Sequence, residues 1–487
     1  MTLSSNTIKA IQDIMRKDVG VDGDAQRIGQ LAWLLFLKIF DDTEQEQEMM
    51  DRNYKAVIPK RFRWSTWAAD PEGITGDELM GFVNTELFPK LKGLSGTLES
   101  NPRAAVVRSV FEDAYNYMKS GTLLRQVINK VSEIDFNRSD DRHQLGDIYE
   151  QILKDLQSAG NAGEFYTPRA VTEFMAAMLD PQMGEKILDP ACGTGGFLVC
   201  VIEHMRRKKY IKSAADERKL PSLIMGYEKK QLPHLLCTTN MMIHGVPTPV
   251  NVRHDNTLTR PYKDWGPKDR VEVIITNPPF GGVEEDGIEN NFPAEFRTRE
   301  TADLFLALII RLLKDGGRAA IVLPDGTLFG EGMKTRLKKK LLEECNLHTI
   351  VRLPNSVFAP YTSIATNLLF FEKGKPTKEI WYYEHRLPKG AKAYNKTRPI
   401  RIEEFDAEKL WWGGAKRKGR QESEVAWKVS IEEIEARNYN LDFKNPHAVE
   451  EEHGDPAELL AKLEESEAET AKLRNKLKAI LGEALLR

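Results

Sequence analysis

Asn277-Pro278-Pro279-Phe280 follows directly on the apolar run 271–275. Two prolines at the end of a strand fix the backbone and withdraw amide donors, leaving nearby carbonyls as acceptors. The Asn277 side-chain oxygen and a carbonyl held by Pro278 can together accept both hydrogens of an exocyclic NH2 group. Phe280 offers a flat face to a planar base or amide. A rigid turn with an incidental aromatic is the competing reading of these four residues taken alone.

Upstream, residues 187–197 read as a strand, a turn and a glycine-rich entry to a helix. Gly193, Gly195 and Gly196, with Thr194 between them, let backbone approach a ligand closely, and Asp189 at the strand's end can accept from a cationic or hydroxyl-bearing group. No Gly-Lys-Ser/Thr follows, and counting G-x-G-x-x-G from Gly193 ends on Leu198, so neither phosphate-loop pattern is complete. An acid inside the loop would repel a pyrophosphate, which favours a ligand without one. Glu228 closes the next strand, where an acid suits bidentate bonding to ribose hydroxyls. Asp255, after a third candidate strand, could accept from an adenine amino group. Either acid alone reads as an ordinary surface carboxylate; the chain order of all these residues makes a ligand site.

Several elements must hold these groups in place. Apolar runs at 186–188, 223–225, 271–275, 318–323 and 366–371 alternate with helical stretches. Runs of that length between helices indicate an α/β domain with a buried parallel sheet, placed at 159–385. Residues 1–158 read as a helical domain, in which the stretch 28–40 is apolar on most faces before Asp41 and Asp42 stop it. Arg61, Arg63, Trp64 and Trp67 interleave cations and aromatics, either to touch nucleic acid or to pack a loop. Residues 386–452 read as a basic, irregular extension, with a loop at 411–420 that is either solvated or in contact with phosphate. Leu459, Leu463, Ser466, Thr470, Leu473, Leu477, Ile480 and Ala484 then mark a heptad seam in a helix at 453–487, which cannot bury that seam alone.

The 487 residues carry 70 Lys plus Arg against 73 Asp plus Glu, a formal charge of -3. That balance excludes a wholesale basic coat but leaves room for a local basic groove. Four cysteines without CxxC spacing argue against a disulfide scaffold or zinc knuckle, and Cys192 and Cys200 read as small buried packing residues. The start lacks a signal-peptide core and the longest greasy stretch is too short to span a membrane, so a cytoplasmic protein is expected.

This order of motifs resembles the S-adenosylmethionine-dependent methyltransferases that act on exocyclic amines. It resembles more closely the modification (M) subunits of type I restriction-modification systems, which make N6-methyladenine in DNA. The closer likeness rests on segments 145–150 and 163–169 ahead of the glycine loop, and on 302–305, 317–324 and 438–442. It implies a Rossmann-like methyltransferase domain flanked by an N-terminal helical domain and a C-terminal helical tail. It also implies an S-adenosylmethionine site at Glu164, Phe165, Tyr166, Thr167, Pro168, Arg169, Asp189, Gly193, Thr194, Gly195, Gly196, Glu228 and Asp255, with Asn277, Pro278, Pro279 and Phe280 catalytic and no metal. For Arg169 a plain helix-start cation is an equal alternative. One departure is the long interval between the glycine loop and Glu228.

The residues suggest direct attack by the adenine amine, since no Pro-Cys dipeptide supplies the cysteine that cytosine C5 chemistry requires. Rival readings are an N4-cytosine, guanine N2 or glutamine methyltransferase, and a scaffold that binds without turnover; a dehydrogenase is more distant. No second module able to read DNA sequence follows the catalytic domain. The resemblance therefore implies several partners: double-stranded DNA, a specificity (S) subunit, a second copy of this chain and possibly a restriction (R) subunit. Two modification chains would share one specificity chain in that complex.

Overall fold

The computed structural model describes residues 5–134, 136, 146, 149–150, 166–280, 282–359, 362–395, 397–447 and 456–485. Residues 5–444 lie in one compact unit and the C-terminal helix, Pro456–Leu485, in another.

Among the described residues nine strands form one sheet: β1 (Ile187–Asp189), β2 (Ile224–Glu228), β3 (Val252–His254), β4 (Val271–Thr276), β5 (Leu313–Pro324), β6 (Cys345–Leu353), β7 (Thr366–Lys373), β8 (Glu379–Glu384) and β9 (Ala426–Ser430). Their spatial order is β3-β2-β1-β4-β5-β7-β6-β8-β9. The five strands from β3 to β5 run parallel. The centres of β4 and β5, residues 273–275 and 319–323, are fully buried, which is why this part of the sheet reads as apolar runs.

The expected all-parallel sheet needs correcting. β7 runs antiparallel between β5 and β6, and β9 runs antiparallel beside β8. β9 carries the sheet beyond residue 385, paired to β8, so 386–452 is not a separate irregular extension. Its aromatic side chains are core: Tyr382 stacks on Trp427 at 5.4 Å, and Phe405 on Phe174 at 4.4 Å. The long interval before Glu228 holds an additional helix, Ala214–Leu223, between the helix Gly196–Arg207 and β2.

The N-terminal part is helical, with Asp24–Met50 as its central element. Asp41 and Asp42 do not end this helix. Both are buried and partnered: Asp41 Oδ2 accepts from Gln45 Nε2 at 2.8 Å and from the Ser65 amide at 2.9 Å, while Asp42 pairs with Lys38. Asp41 Oδ1 is nonetheless buried without a hydrogen-bond partner among the described residues, so this acid carries a desolvation cost. Trp64 and Trp67 are buried, with Trp64 Nε1 donating to Ser132 Oγ at 3.1 Å, so the aromatic segment packs a loop. Leu235, Leu236, Met242 and Ile243 of the helix Gln231–Ile243 belong to the N-terminal core. One helix thus ties the helical region to the sheet domain.

Candidate functional site

The strand order reverses between β1 and β4, and in open α/β sheets ligands bind beyond the carboxyl ends of the strands at such a point. β1 ends on Asp189 and β4 runs directly into Asn277. A cavity of about 250 Å³ opens there.

The glycine loop is held by its own backbone and by buried side chains. The Cys192 amide donates to the Tyr227 carbonyl at 2.9 Å, and the Gly195 amide to the Cys192 carbonyl at 2.8 Å. Asn240 Nδ2 donates to the Thr194 carbonyl at 3.0 Å. Gly195 has φ 82°, and a Cβ there would lie 2.7 Å from Cys237 Sγ. Only glycine fits that turn at that distance.

Asp189 is fully enclosed. Its Oδ1 accepts from Thr276 Oγ1 at 2.6 Å and from the Ala191 amide at 3.1 Å. Oδ2 is buried with no hydrogen-bond partner among the described residues. Burial, aided by the charge of Glu228, pushes this carboxyl up to about 7, against the pull of those two hydrogen bonds. Glu228 accepts from the Gly193 amide at 3.0 Å through Oε2 and from the Lys230 amide at 2.7 Å through Oε1. It braces the loop while bordering the cavity. Asp255 is exposed at the rim, its amide donating to the Glu228 carbonyl at 3.0 Å.

Tyr166, Thr167 and Arg169 also line the cavity. Tyr166 donates its hydroxyl to Glu150 Oε1 at 2.5 Å, and Arg169 is paired with Glu173 at 2.9 Å and with Glu203. Arg169 is therefore both a helix-start cation and part of the wall. Asn277 Nδ2 donates to Thr167 Oγ1 at 3.0 Å, while Asn277 Oδ1 is buried and unpartnered among the described residues.

The structure thus gathers Tyr166, Thr167, Arg169, Asp189, Gly193, Thr194, Gly196, Glu228, Asp255, Asn277 and Pro279 around one cavity. Pro168, Gly195, Pro278 and Phe280 do not border it, and Glu164 and Phe165 lie outside the described residues. Phe280 is buried edge-on against Phe358 at 5.9 Å, so no open face awaits a base in this conformation. Sequence reasoning missed Thr276, Asn240 and Glu284. A lone asparagine in the apolar helix Gln231–Ile243 was the available signal for Asn240. Glu284 borders the cavity, pairs with Lys229 at 3.2 Å and accepts from Thr301 Oγ1 at 3.3 Å.

Beside Arg169, Lys229 and Lys230 the cavity lining includes the carboxylates of Asp189, Glu228, Asp255 and Glu284, which disfavour a pyrophosphate. It suits a ligand with ammonium and hydroxyl groups beside a planar amine.

Comparison with known proteins agrees with this chemistry. Residues 140–455 match the N-6 DNA Methylase family model, and residues 4–131 match the HsdM N-terminal domain. The chain belongs to the N-6 DNA methylase family. It is 63% identical over 483 residues to the type I restriction enzyme EcoEI methylase subunit of Escherichia coli, covering 99% of this chain and 98% of that one. A modification subunit of a putative type I restriction enzyme from Vibrio vulnificus superposes with a TM-score of 0.81 at 44% identity, over 92% of this chain and 98% of the other. A chain from a type I restriction-modification system, solved to explain complex assembly and conformational transition, gives 0.82 at 40%, over 98% of each. At that likeness across nearly its whole length, the chain is a type I methylase subunit, an enzyme that methylates adenine N6 in DNA. Among the described residues no helix is long and apolar enough to cross a membrane.

Proposed function

We propose that the cavity between β1 and β4 binds S-adenosylmethionine and that Asn277 receives the target adenine there. The residues fit the cofactor. Asp189 Oδ2 is a buried acceptor without a partner among the described residues, Glu228 and Asp255 bring two more carboxylates, and the glycine loop admits a close approach. When bound, S-adenosylmethionine supplies an electrophilic sulfonium methyl.

Adenine N6 is a weak nucleophile because its lone pair is delocalised into the ring. Asn277 Oδ1, with the main-chain carbonyl of Pro278, accepts the two N6 hydrogens and favours a pyramidal nitrogen with a localised pair. Catalysis then comes largely from positioning and fixed dipoles. The base must leave the duplex to arrive there, at a cost of a few kcal/mol. Stacking on Phe280 offsets part of that cost once the ring's contact with Phe358 opens.

The observation that carries this reading is the unpartnered Asn277 oxygen beside the cavity. Asn277→Ala should lower kcat by about 10²–10³, the usual loss for one preorganised polar contact, with the affinity for sinefungin unchanged. Full activity in that variant refutes the assignment.

The working enzyme in this proposal contains two copies of this chain and one specificity chain on double-stranded DNA, with a restriction chain joining for cleavage. The absence of a sequence-reading module from the described residues and the exposed apolar seam of Pro456–Leu485 support it. Sizing of co-expressed chains tests the stoichiometry; a lone monomer with sequence-specific activity contradicts it.

A further inference from the structure

We infer that the loop 386–401 holds the phosphate backbone of the DNA duplex while the target base occupies the cavity. The inference rests on that base entering at Asn277, which sets the edge of the sheet that faces DNA.

The segment stands out in a chain whose charges nearly balance. Its 16 residues carry six lysines and arginines and no acid. A run of cations is usually a solvated face, so its place in the fold decides. β4, β5, β6 and β8 all run in one direction, because β7 is antiparallel to both β5 and β6. The register sets Thr276, Ile321, Leu369, Ile350 and Tyr382 in one row across the sheet. Asn277 follows the first of these and Arg386 lies just beyond the last, so both leave the sheet from the same edge. Four strand spacings of about 4.8 Å separate the ends of that row by roughly 19 Å. Along a duplex this is about five to six base pairs, at about 3.4 Å each. A phosphate about half a turn from the extruded adenine is thus within reach of the loop.

Most of the cations are free to meet a ligand. Arg386 pairs with Glu384 at 3.5 Å and with Glu424 at 3.6 Å. Lys389, Lys392, Arg398 and Arg401 are exposed and have no acid partner among the described residues. The backbone that carries them is fixed. Tyr394 is buried, its amide donating to Ser356 Oγ at 2.9 Å and its hydroxyl to Glu404 Oε2 at 2.7 Å. Asn395 and Arg398 exchange two backbone hydrogen bonds at 3.1 Å, and Asn395 Oδ1 accepts from the Thr397 and Arg398 amides at 3.0 and 2.9 Å. At the start of the loop His385 is held by Glu408 at 2.5 Å. Cations on a backbone ordered in advance lose less freedom on binding. Ser356 leads into Phe358, whose ring meets Phe280 at 5.9 Å, so the loop is fastened to the segment that packs on the Asn-Pro-Pro-Phe turn.

The test uses the chain assembled with its specificity subunit and follows duplex affinity against salt concentration. Lys389→Gln, Lys392→Gln and Arg398→Gln together should lower the slope of log Kd against log salt by about 2 to 3 units, roughly one for each lost phosphate contact. Target and non-target duplexes should weaken alike. KM for DNA should rise, while kcat at saturating DNA and sinefungin affinity stay within about twofold of the parent. The same charge change at Arg207, Lys208 and Lys209 is the control. These exposed residues close the helix Gly196–Arg207, which returns from the carboxyl end of β1 to the opposite edge of the sheet, and the slope should not respond to them.

Three results overturn the inference. They are an unchanged slope in the loop variant, an equal change in the control, which makes the effect one of net charge, and weakened assembly with the specificity chain at an unchanged slope, which makes that protein the partner of the loop. Should the triple variant fail to assemble, Arg398→Gln alone gives the same comparison, with an expected change of about one unit. Asn277→Ala run alongside should lose turnover at the parent slope; if it stays active, the reading of Asn277 falls whatever the loop does.

Discussion

Thr276 donates its hydroxyl to Asp189 at 2.6 Å, joining the carboxyl ends of β4 and β1 one residue before Asn277. Asp189 and Asn277 are thus anchored at the ends of neighbouring strands of one sheet. Thr276 and Asp189 are both fully buried, so this bond is shielded from water and from competition. It occupies one carboxylate oxygen and leaves the other for a ligand.

A pH dependence follows from that enclosure. Asp189 in the folded chain is pushed up to about 7, well above the value of about 3.9 for an unfolded aspartate. Between those values the folded state holds the extra proton, so the group's contribution makes stability fall as pH rises across the window and level off above it. A cationic ligand favours the ionised form and must expel that proton. Sinefungin affinity should therefore rise by up to about tenfold per pH unit below 7 and flatten above, with proton release in calorimetry at pH 6. A flat profile in the parent chain would show that Asp189 is already ionised.

The glycine loop makes a second prediction. Gly195→Ala places a methyl group in a left-handed conformation and 2.7 Å from Cys237 Sγ. Left-handed backbone in a non-glycine residue costs roughly 1–3 kcal/mol before the clash is counted. The variant should bind sinefungin at least tenfold more weakly and melt lower. Cys237→Ala should recover part of the loss in the double variant, because it relieves the clash but not the strain. Simple addition of the two effects would show that Cys237 is not what crowds the loop.

The sequence made the site more legible than the sheet. Asp189, Glu228 and Asn277 announce themselves because strand ends at the switch point need polar residues directly after apolar runs, and the pattern changes abruptly at each. β6, β8 and β9 carry no such signal. Cys345–Leu353 mixes Asn, His and Arg with its apolar residues, and Glu379–Glu384 begins and ends on acids. Both strands lie in the mixed half of the sheet, where β6 runs antiparallel to β7 but parallel to β8. Thr276 was hidden for another reason: a threonine's role depends on its partner, and its partner Asp189 lies far away in sequence.

Arg420 shows how a basic loop can mislead. Its guanidinium lies 4.5 Å from the Trp411 ring and 4.7 Å from the Trp412 ring, donating to Thr349 Oγ1 at 2.8 Å and to the Trp412 carbonyl at 3.0 Å. The contacts fasten the loop at 411–420 to β6, so Arg420 is structural and phosphate contact is not its task. Arg420→Ala should cost about 2 kcal/mol in stability, the scale of other buried polar networks broken by truncation. The salt dependence of DNA binding by the assembled enzyme should not change. A salt slope lowered by about one unit, the signature of a lost phosphate contact, would return Arg420 to the DNA surface.

The helix Pro456–Leu485 exposes Leu460, Leu463, Leu473 and Leu477, each more than half accessible. At positions 466 and 470 the seam is polar, and Thr470 Oγ1 donates to the Ser466 carbonyl at 2.8 Å, so Thr470 can enter an interface without an unpaired hydroxyl. Burying a leucine yields about 1.5–3 kcal/mol, and placing a charge there forfeits that and adds a desolvation cost. Leu463→Glu with Leu473→Glu should therefore weaken assembly with the specificity chain by at least about a hundredfold. The melting of the isolated chain should stay the same, because these side chains are already in water. Methyl transfer should fall with assembly, since recognition is borrowed in the proposed complex, whereas sinefungin binding should persist. Co-purification and calorimetry on the same preparation read both quantities. A double variant that assembles normally would mean that the specificity chain docks elsewhere and that this seam serves another contact.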